Sequence, residues 1–310
     1  MRSLLDKRLV VVTGKGGAGK STVAASLALG RARAGGRALV CELAGAESMS
    51  RAFGGEPVGH AETELAPGVW AISIDPRAAL EEYLRDQLGS STVYGLLFDN
   101  RTFQSLADAT PGLREMVTMG KVWELAQRKR RDERARAYDL VVLDAPATGH
   151  ALGLLAAPST FRDIATAGPV RRHAAIIEAL VADGRRTAVV AAALPEETAV
   201  NEALELSLAL REELGIELRR VVVNGLWPAC FDDSEITRIA AELSADGASA
   251  ATCALRNALA DHARAGEQRR QLDRLREALG DDTVVSLPFL FDAALDRPTL
   301  ERLSRTLEPA

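Results

Sequence analysis

The residues best suited to chemistry lie in one glycine-rich stretch near the start of the chain. "GKGGAGKS", residues 14–21, has the spacing Gly-x-x-x-x-Gly-Lys-Ser and follows a valine-rich run. Glycines at this spacing let backbone amides turn towards phosphate oxygens, while the lysine reaches the terminal phosphates and the serine ligates Mg²⁺. The stretch predicts a nucleotide site in which Lys20 and Ser21 have these roles. The predicted binding residues are Gly14, Lys15, Gly16, Gly17, Ala18, Gly19, Lys20, Ser21 and Thr22.

Lys15 is a second lysine in the same loop, directly after the first glycine. Within one subunit Lys20 already serves the γ phosphate, so Lys15 has little to add there. We expect Lys15 to reach the nucleotide of a partner subunit across a symmetric dimer, because cationic groups supplied from outside a subunit stabilise charge in phosphoryl transfer. The alternative is an exposed loop lysine without such a role.

Valine-rich runs recur along the chain and end at turn residues. Short apolar runs are typical of strands buried on both faces, and the helical periodicity between them indicates a parallel sheet covered by helices. The sequence therefore predicts a three-layer α/β/α fold with a mostly parallel central sheet. The predicted strands are 8–14, 37–43, 68–75, 138–146, 186–194, 218–225 and 282–288.

Two helical regions interrupt this alternation within what we expect to be a single domain, residues 1–310. We interpret residues 76–135 and 149–182 as a helical subdomain inserted into the α/β domain. Residues 229–280 are expected to form a further helical stretch before the last strand. The mixed charges of "QRKRRDERARA", residues 127–137, predict a solvated helix face rather than a nucleic-acid patch.

Composition narrows the possible functions. The 310 residues have a formal net charge of −5 and are 47% hydrophobic, which suits a globular core and argues against a nucleic-acid partner. The first residues do not resemble a signal peptide, and no run approaches the roughly 20 apolar residues of a membrane span. Cys41, Cys230 and Cys253 are scattered, as is typical of free thiols in a reducing compartment. We therefore expect a cytoplasmic protein without an integral membrane segment.

Several motifs together resemble one family. "KGGAGKS" is similar to the P-loop of the ArsA, Get, MinD and ParA ATPases, in which the first lysine is a signature and dimers close around ATP. "LVVLDAPATGHALGLLAAP", residues 140–158, resembles switch II of the ArsA/Get branch. "VVVNGLWP", residues 221–228, and "SLPFL", residues 286–290, are similar to that branch's adenine-binding strand and the loop beside the base. The resemblance spans nearly the whole chain, with the motifs in family order.

This resemblance implies an ATPase that uses ATP and Mg²⁺ and works as a homodimer or as a heterodimer with a similar chain. Asp144 would hold a Mg²⁺-bound water, and Asn224 and Pro288 would contact adenine. A protein client or a membrane component is a possible further partner. The implied switch II residues, which would move with the γ phosphate, are Asp144, Thr148, Gly149 and His150. For His150, a structural role at a helix start is an equally open alternative.

The chain departs from the family in switch I, where an aspartate normally positions the attacking water. Aligned on the shared "AF", that aspartate falls on Ala44 and the following proline on Gly45. Glu42 or Glu47 could supply the carboxylate from a shifted position, and we take Glu42 as the catalytic candidate beside Lys15, Lys20 and Asp144. Phosphoryl transfer depends mostly on positioning and electrostatics, so water that no carboxylate positions still attacks, but slowly. The alternative is therefore a nucleotide-dependent switch that hydrolyses ATP poorly.

The cargo end also departs from the family. Three scattered cysteines make a poor metalloid site, and the Cys-x-x-Cys zinc clamp of the eukaryotic members is missing. The helical insert offers Met116 and Met119 for a client groove, yet apolar residues at helical spacing more often face a core. Other apolar candidates are Val93, Leu96, Leu97, Phe98, Phe103, Val122, Trp123 and Leu125.

A positioning ATPase of the MinD/ParA type is a further alternative. MinD would need a basic amphipathic helix at its C-terminus, and the end "RPTLERLSRTLEPA" is short, mixed in charge and without a bulky apolar face. ParA would need a basic DNA-binding face, which the net charge of −5 does not favour. We therefore expect the ArsA/Get branch.

Overall fold

A computed structural model of the chain describes residues 3–88, 110–129, 136–243, 249–291 and 296–307. Its centre is an eight-stranded sheet with the order β3-β4-β2-β5-β1-β6-β7-β8. Neighbouring strands are parallel except β3 and β4, which pair antiparallel. The strands are β1 Leu9–Gly14, β2 Ala38–Leu43, β3 Thr63–Ala66, β4 Val69–Ile74, β5 Leu140–Asp144, β6 Thr187–Ala193, β7 Leu218–Leu226 and β8 Val284–Pro288.

Helices cover both faces of the sheet, because successive strand residues alternate between two separate cores. Val11 and Leu143 face one core, which includes side chains from α3 to α7 and from α9. Val10 and Val142 face the other, which α1, α2 and α10 cover. This arrangement confirms the predicted α/β fold. The helices are α1 Lys20–Arg33, α2 Ser48–Phe53, α3 Pro76–Leu88, α4 Leu113–Leu125, α5 Thr148–Ile164, α6 Gly168–Ala182, α7 Glu197–Leu214, α8 Asp233–Leu243, α9 Ala250–Leu279 and α10 Arg297–Leu307.

One strand was not anticipated, and one local expectation was wrong. Strand β3 was not anticipated, because "TELA" is short, mostly exposed and lies at the sheet edge, where a buried apolar run is not required. The helix expected to continue through residues 127–137 ends at Leu125, with Ala126 as its C-cap. Residues 126–129 are not helical, and 130–135 lie outside the described residues. Charged residues with good helix propensity do not extend a helix that lacks a core contact.

The apolar residues considered for a client groove divide into two groups. Met119, Val122 and Leu125 are fully buried and belong to the core under α4. Met116 and Trp123 line an apolar cavity of about 160 Å³ between α3, α4, α5 and α6. Within the described residues no helix is both long enough and apolar enough to cross a membrane. The other candidates, Val93, Leu96, Leu97, Phe98 and Phe103, lie outside the described residues.

Candidate nucleotide site

The glycine-rich loop joins the end of β1 to the start of α1 at the carboxyl edge of the sheet. β1 lies between β5 and β6, and the strand order runs outward from β1 in both directions along the sheet. Ligands of open α/β sheets bind at such a switch point, at the carboxyl ends of the strands. Gly14 has φ of 134°, and a Cβ atom there would meet the Ala192 carbonyl oxygen at 2.0 Å. Gly17 and Gly19 also have positive φ, of 82° and 89°. This backbone path therefore requires glycine, and it ends at the amino end of a helix, which favours an anion.

The two lysines of the loop have different partners. Lys20 Nζ donates to the Lys15 carbonyl oxygen at 3.3 Å, so its ammonium group stays within the loop. Lys15 Nζ lies 3.5 Å from Glu202 Oε1 on α7, and the two side chains are 39% and 35% exposed. An ion pair this exposed contributes little to folding stability. The Lys15 ammonium group can therefore exchange Glu202 for another anion at small cost.

Ser21 and Asp144 are joined directly. Ser21 is the second residue of α1, Asp144 ends β5, and the Ser21 hydroxyl donates to Asp144 Oδ2 at 2.6 Å. Asp144 is only 8% exposed, and its Oδ1 has no hydrogen-bond partner among the described residues. Burial raises the pKa of Asp144, although the Ser21 hydrogen bond and the Lys20 charge oppose this shift. A buried carboxylate oxygen without a partner beside a serine hydroxyl is an oxygen donor set that suits Mg²⁺.

The segment after β5 is tied to the glycine-rich loop's strand. Thr13 Oγ1 donates to the Pro146 carbonyl oxygen at 2.9 Å, and α5 then begins at Thr148. Thr148 Oγ1 is buried and has no hydrogen-bond partner within the described chain. The first-turn N–H groups of α5 have no acceptor within the helix, so they favour an anion in front of them.

A cavity of about 580 Å³ separates the start of α5 from the glycine-rich loop. Lys15 and Gly16 border it on one side, Thr148 and Gly149 on another, and Glu202 on a third. The cavity therefore brings the predicted switch II residues Thr148 and Gly149 to the loop that carries the extra lysine. His150 is exposed and does not line this cavity.

Glu42 holds the loop after β2 in place. Its side chain is 1% exposed, and Oε2 accepts hydrogen bonds from the backbone N–H groups of Ser48 and Met49, both at 3.1 Å, at the start of α2. Its Oε1 has no partner among the described residues. Burial and the nearby Asp144 charge raise the pKa of Glu42 against these two hydrogen bonds. Glu42 is thus half engaged as a helix cap, and one carboxylate oxygen remains available.

The remaining switch I positions are exposed. Ala44, Gly45 and Glu47 all lie on the surface of the loop, with Glu47 in a left-handed conformation at φ of 48°. Arg51 holds this turn by donating from Nε and Nη2 to the carbonyl oxygens of Glu47 and Ala46. Among Glu42 and Glu47, only Glu42 is buried beside Asp144.

Asn224 and Pro288 lie together on the other side of the loop. Asn224 Nδ2 donates to the Ala18 carbonyl oxygen at 3.1 Å, and it would lie 2.2 Å from a Cβ atom at Gly19. Asn224, Pro288 and Thr22 line one cavity of about 500 Å³, a size typical of small-molecule sites. The predicted base-binding residues are therefore brought together directly beside the predicted phosphate loop.

Three residues at this edge were missed by sequence reasoning. Glu202 pairs with Lys15, while Trp227 and Gln268 line the cavity with Asn224. A signal existed for Glu202, because α7 follows β6, the strand beside β1, and helices that follow parallel strands begin at the carboxyl edge. The signal for Trp227 is its position, three residues after the predicted base-binding residue Asn224. For Gln268, in the middle of the long helix α9, the sequence contains no local signal.

Comparisons with known proteins agree with this geometry. The family model described as anion-transporting ATPase matches residues 7–172. ATPase BagA of Mycobacterium tuberculosis is 33% identical over 248 residues, covering 77% of this chain and 71% of that protein. A putative arsenical pump-driving ATPase of Halobacterium salinarum is 31% identical, covering 74% of this chain and 37% of that protein. ATPase GET3 of Pyricularia oryzae is 26% identical and covers 99% of this chain and 93% of that protein.

The family model includes the glycine-rich loop, the loop after β2 and the start of α5. The BagA match exceeds 30% identity over more than two thirds of both chains. These matches confirm the resemblance read from the motifs. This chain belongs to the anion-transporting ATPase family, and it is an ATPase.

Proposed function

We propose that the chain is a Mg²⁺-dependent ATPase that closes as a dimer around ATP and uses the nucleotide cycle to move its helical subdomain, residues 76–135 and 149–182. The observation that carries this proposal is the Ser21–Asp144 hydrogen bond of 2.6 Å beside a glycine loop with fixed backbone geometry. We further propose a cytoplasmic location, which the three free cysteines favour. The dimer partner is a second copy or a similar chain.

The residues present fit a magnesium ion. Asp144 has a buried oxygen without a partner, and the Ser21 hydroxyl that now donates to it can turn to ligate a cation. In the proposed site Ser21 would ligate the ion and Asp144 would orient its water ligands. A bound Mg²⁺ would neutralise phosphate charge and orient the phosphate oxygens. Lys20 and the amides of the glycine loop bind the remaining phosphate oxygens.

The position of Lys15 supports a role in a dimer. Its ammonium group pairs with Glu202, and Lys15 borders the open cavity of about 580 Å³ that the start of α5 also lines. In the proposed closed dimer, Lys15 exchanges Glu202 for a phosphate oxygen of the partner's ATP. Such a cation stabilises charge that develops in the transition state.

The attacking water requires an acceptor, and Glu42 is the proposed one. Its free Oε1 lies in the buried region that includes Asp144, while Oε2 keeps α2 in place. The same arrangement supports the alternative function, a nucleotide-dependent switch that hydrolyses slowly. Glu42 is already engaged as a helix cap, and the usual switch I aspartate position is occupied by Ala44.

The helical subdomain is proposed to respond through α5. Thr148 and Gly149 begin this helix at the side of the proposed phosphate site. The helix packs against α4 and α6, and Phe161 in its far half lines the apolar cavity with them. A phosphate that attracts the start of α5 would therefore pull on the helices around the apolar cavity. A protein client or a membrane component is the proposed recipient of this movement. GET3 and arsenical pump-driving relatives support an ATPase of this general type.

Two measurements on the purified chain test this proposal together. We expect phosphate release that requires Mg²⁺ and stops with EDTA, and we expect a non-hydrolysable ATP analogue with Mg²⁺ to double the molar mass measured by light scattering. Tight ATP binding without turnover would favour the nucleotide switch instead. A monomer that hydrolyses ATP at full rate at all protein concentrations would overturn the dimeric site.

A further inference from the structure

The cavity beside the glycine-rich loop contains a second side-chain amide. Gln268 of α9 lines the same cavity as Asn224, which lies near the end of the predicted base-binding strand β7. The inference below rests on the proposed function, because it takes this cavity as the site of the adenine ring. An adenine edge offers a 6-amino donor next to the N1 acceptor, so reading it requires one protein acceptor and one protein donor.

Asn224 already donates one amide N–H within the chain, and its carbonyl oxygen is the atom without a protein partner among the described residues. The Ala18 carbonyl oxygen is a pure acceptor, so the Asn224 atom that meets it at 3.1 Å must be the amide nitrogen. This hydrogen bond fixes the orientation of the side chain and directs its NH₂ group to the loop. Asn224 Oδ1 has no hydrogen bond among the described residues, and it remains to accept from an amino group.

Gln268 has the opposite orientation. The backbone N–H of Trp227 is a pure donor, so the Gln268 atom that meets it at 2.7 Å must be Oε1. The NH₂ group of Gln268 therefore remains as the donor, and it has no hydrogen bond within the described chain. Gln268 thus complements Asn224, since one amide leaves an acceptor and the other leaves a donor.

The surroundings of Gln268 keep it in position. Arg264, one helical turn earlier on α9, lies over the Trp227 ring with its guanidinium carbon 4.6 Å from the ring centroid. Trp227 in turn packs against Phe289, with 4.5 Å between ring centroids. These contacts attach α9 to the loops after β7 and β8. The part of α9 that carries Gln268 is therefore packed against the cavity and is not a free helix surface.

We propose that Gln268 is a specificity-determining residue of this ATPase, donating from Nε2 to N1 of adenine while Asn224 Oδ1 accepts from the 6-amino group. Hypoxanthine and guanine have N1–H and a 6-oxo group, so they present a donor where adenine has an acceptor. Both amides would face a like group on these bases. Unpaired buried polar groups are costly, and the pair therefore selects adenine over 6-oxopurines.

The test exchanges the donor of Gln268 for an acceptor. In Gln268→Glu, one carboxylate oxygen still accepts from Trp227, while the other faces the cavity as an acceptor. Calorimetric binding of ADP and of IDP, whose base is hypoxanthine, avoids any contribution from hydrolysis. We expect the ratio of ADP to IDP affinity to fall by about tenfold or more in Gln268→Glu, because one pairing is lost for ADP and one is gained for IDP.

Two further variants separate recognition from packing. Gln268→Leu removes both hydrogen bonds, so it should weaken ADP without improving IDP. Gln271→Glu makes the same chemical change on α9 outside the cavity, where Gln271 bonds to Glu267, and it should leave the ratio unchanged. Thermal unfolding without nucleotide checks that all variants fold. A ratio in Gln268→Glu equal to that of the unaltered chain would overturn the inference, whereas an unaltered chain that binds neither nucleotide would overturn the proposed function.

Discussion

Two carboxylate clusters of this protein differ in how completely their oxygens are paired. In the helical region, Lys121 Nζ donates to Glu82 and Glu124 at 2.7 and 2.8 Å, and His60 lies 3.4 Å from Glu82. His60 and Lys121 lower the pKa of Glu82 to about 2. At the nucleotide edge, Glu42 and Asp144 each leave one buried oxygen without a partner within the described residues, and burial raises both pKa values.

The difference distinguishes a fully paired structural network from the candidate nucleotide site. Glu82 has cationic partners within the chain, so its charge stabilises the folded state. Glu42 and Asp144 lie in a buried region where desolvation disfavours their charged forms. Buried carboxylates with an unpaired oxygen and a raised pKa are typical of functional sites, since the oxygens of a purely structural carboxylate usually all have hydrogen-bond partners.

The largest effect is expected for Lys20 of the glycine loop, because this residue is proposed to bind the phosphates directly. Lys20→Ala should lower phosphate release by about 100-fold or more, because it removes a cation aimed at developing charge. Its thermal unfolding temperature should fall only modestly, since the one hydrogen bond of Lys20 among the described residues is a long one, 3.3 Å to the Lys15 carbonyl oxygen, and its charge acts on Asp144 without a direct contact. Lys129→Ala, outside the site, is the control. Equal loss in both variants would contradict the assignment.

Asp144→Asn should separate function from stability. Mg²⁺-dependent turnover should fall by roughly 10- to 100-fold, as for other groups that orient metal ligands. The nucleotide-free variant should nevertheless unfold at a higher temperature than the unaltered chain at neutral pH, because a neutral amide removes a desolvated charge. The matched variant Glu82→Gln should show the reverse pattern, with normal turnover and a lower unfolding temperature. The same pattern in both variants would remove the distinction between the two clusters.

Glu42 variants test whether its free oxygen matters apart from the helix cap. Glu42→Gln keeps an acceptor for the amides of Ser48 and Met49, so stability should be retained while turnover falls about tenfold through loss of the anionic acceptor. Glu42→Ala should lose the cap as well, at a cost of about 1 kcal/mol in the free energy of unfolding. Full turnover in Glu42→Gln would favour a purely structural role.

The smallest effect is expected in the pH dependence of unfolding. A raised pKa in the folded state means that the folded chain binds more protons, so stability falls as pH rises through the raised values of Glu42 and Asp144. For Glu82 the folded pKa is depressed, so its contribution is present above the ordinary carboxyl pKa and is lost as pH falls towards about 2. Urea unfolding with EDTA from acid to neutral pH measures both trends.

In that series Asp144→Asn should reduce the loss of stability towards neutral pH, and Glu82→Gln should reduce the loss towards acid. Because Glu82 is 37% exposed, solvent screening makes its effect modest. Identical pH profiles for both variants and the unaltered chain would show that neither cluster titrates as described.

Some of this molecule follows from local sequence patterns. Gly14 and Gly19 are recognisable in the sequence as loop glycines, because the structure leaves no room for a side chain at either position. The buried parallel strands β1 and β5 are recognisable from their continuous apolar runs. The edge strand β3 has no such run and was missed. Backbone geometry that permits one residue type leaves a clear signal, whereas a half-exposed strand permits many sequences.

The candidate site was predictable only in part for a related reason. Asp144 ends β5 and Thr148 begins the helix that follows it, so topology brings both residues to the loop. The pairing of Lys15 with Glu202 and the approach of Gln268 to Trp227 join segments distant in sequence. Such contacts depend on how side chains pack in three dimensions, and no local sequence pattern indicates which residues will meet.

The central claim is that an active site is completed by two subunits, and mixing two inactive variants tests it most directly. Lys15→Ala keeps its own Lys20 but lacks the lysine for its partner, whereas Lys20→Ala supplies Lys15 but cannot use its own site. In a mixed dimer, the site on the Lys15→Ala subunit receives Lys15 from its partner. Random mixing should restore Mg²⁺-dependent phosphate release to about one quarter of the unaltered rate. If the mixture is no more active than the separate variants, Lys15 does not act across the dimer and the claim is wrong.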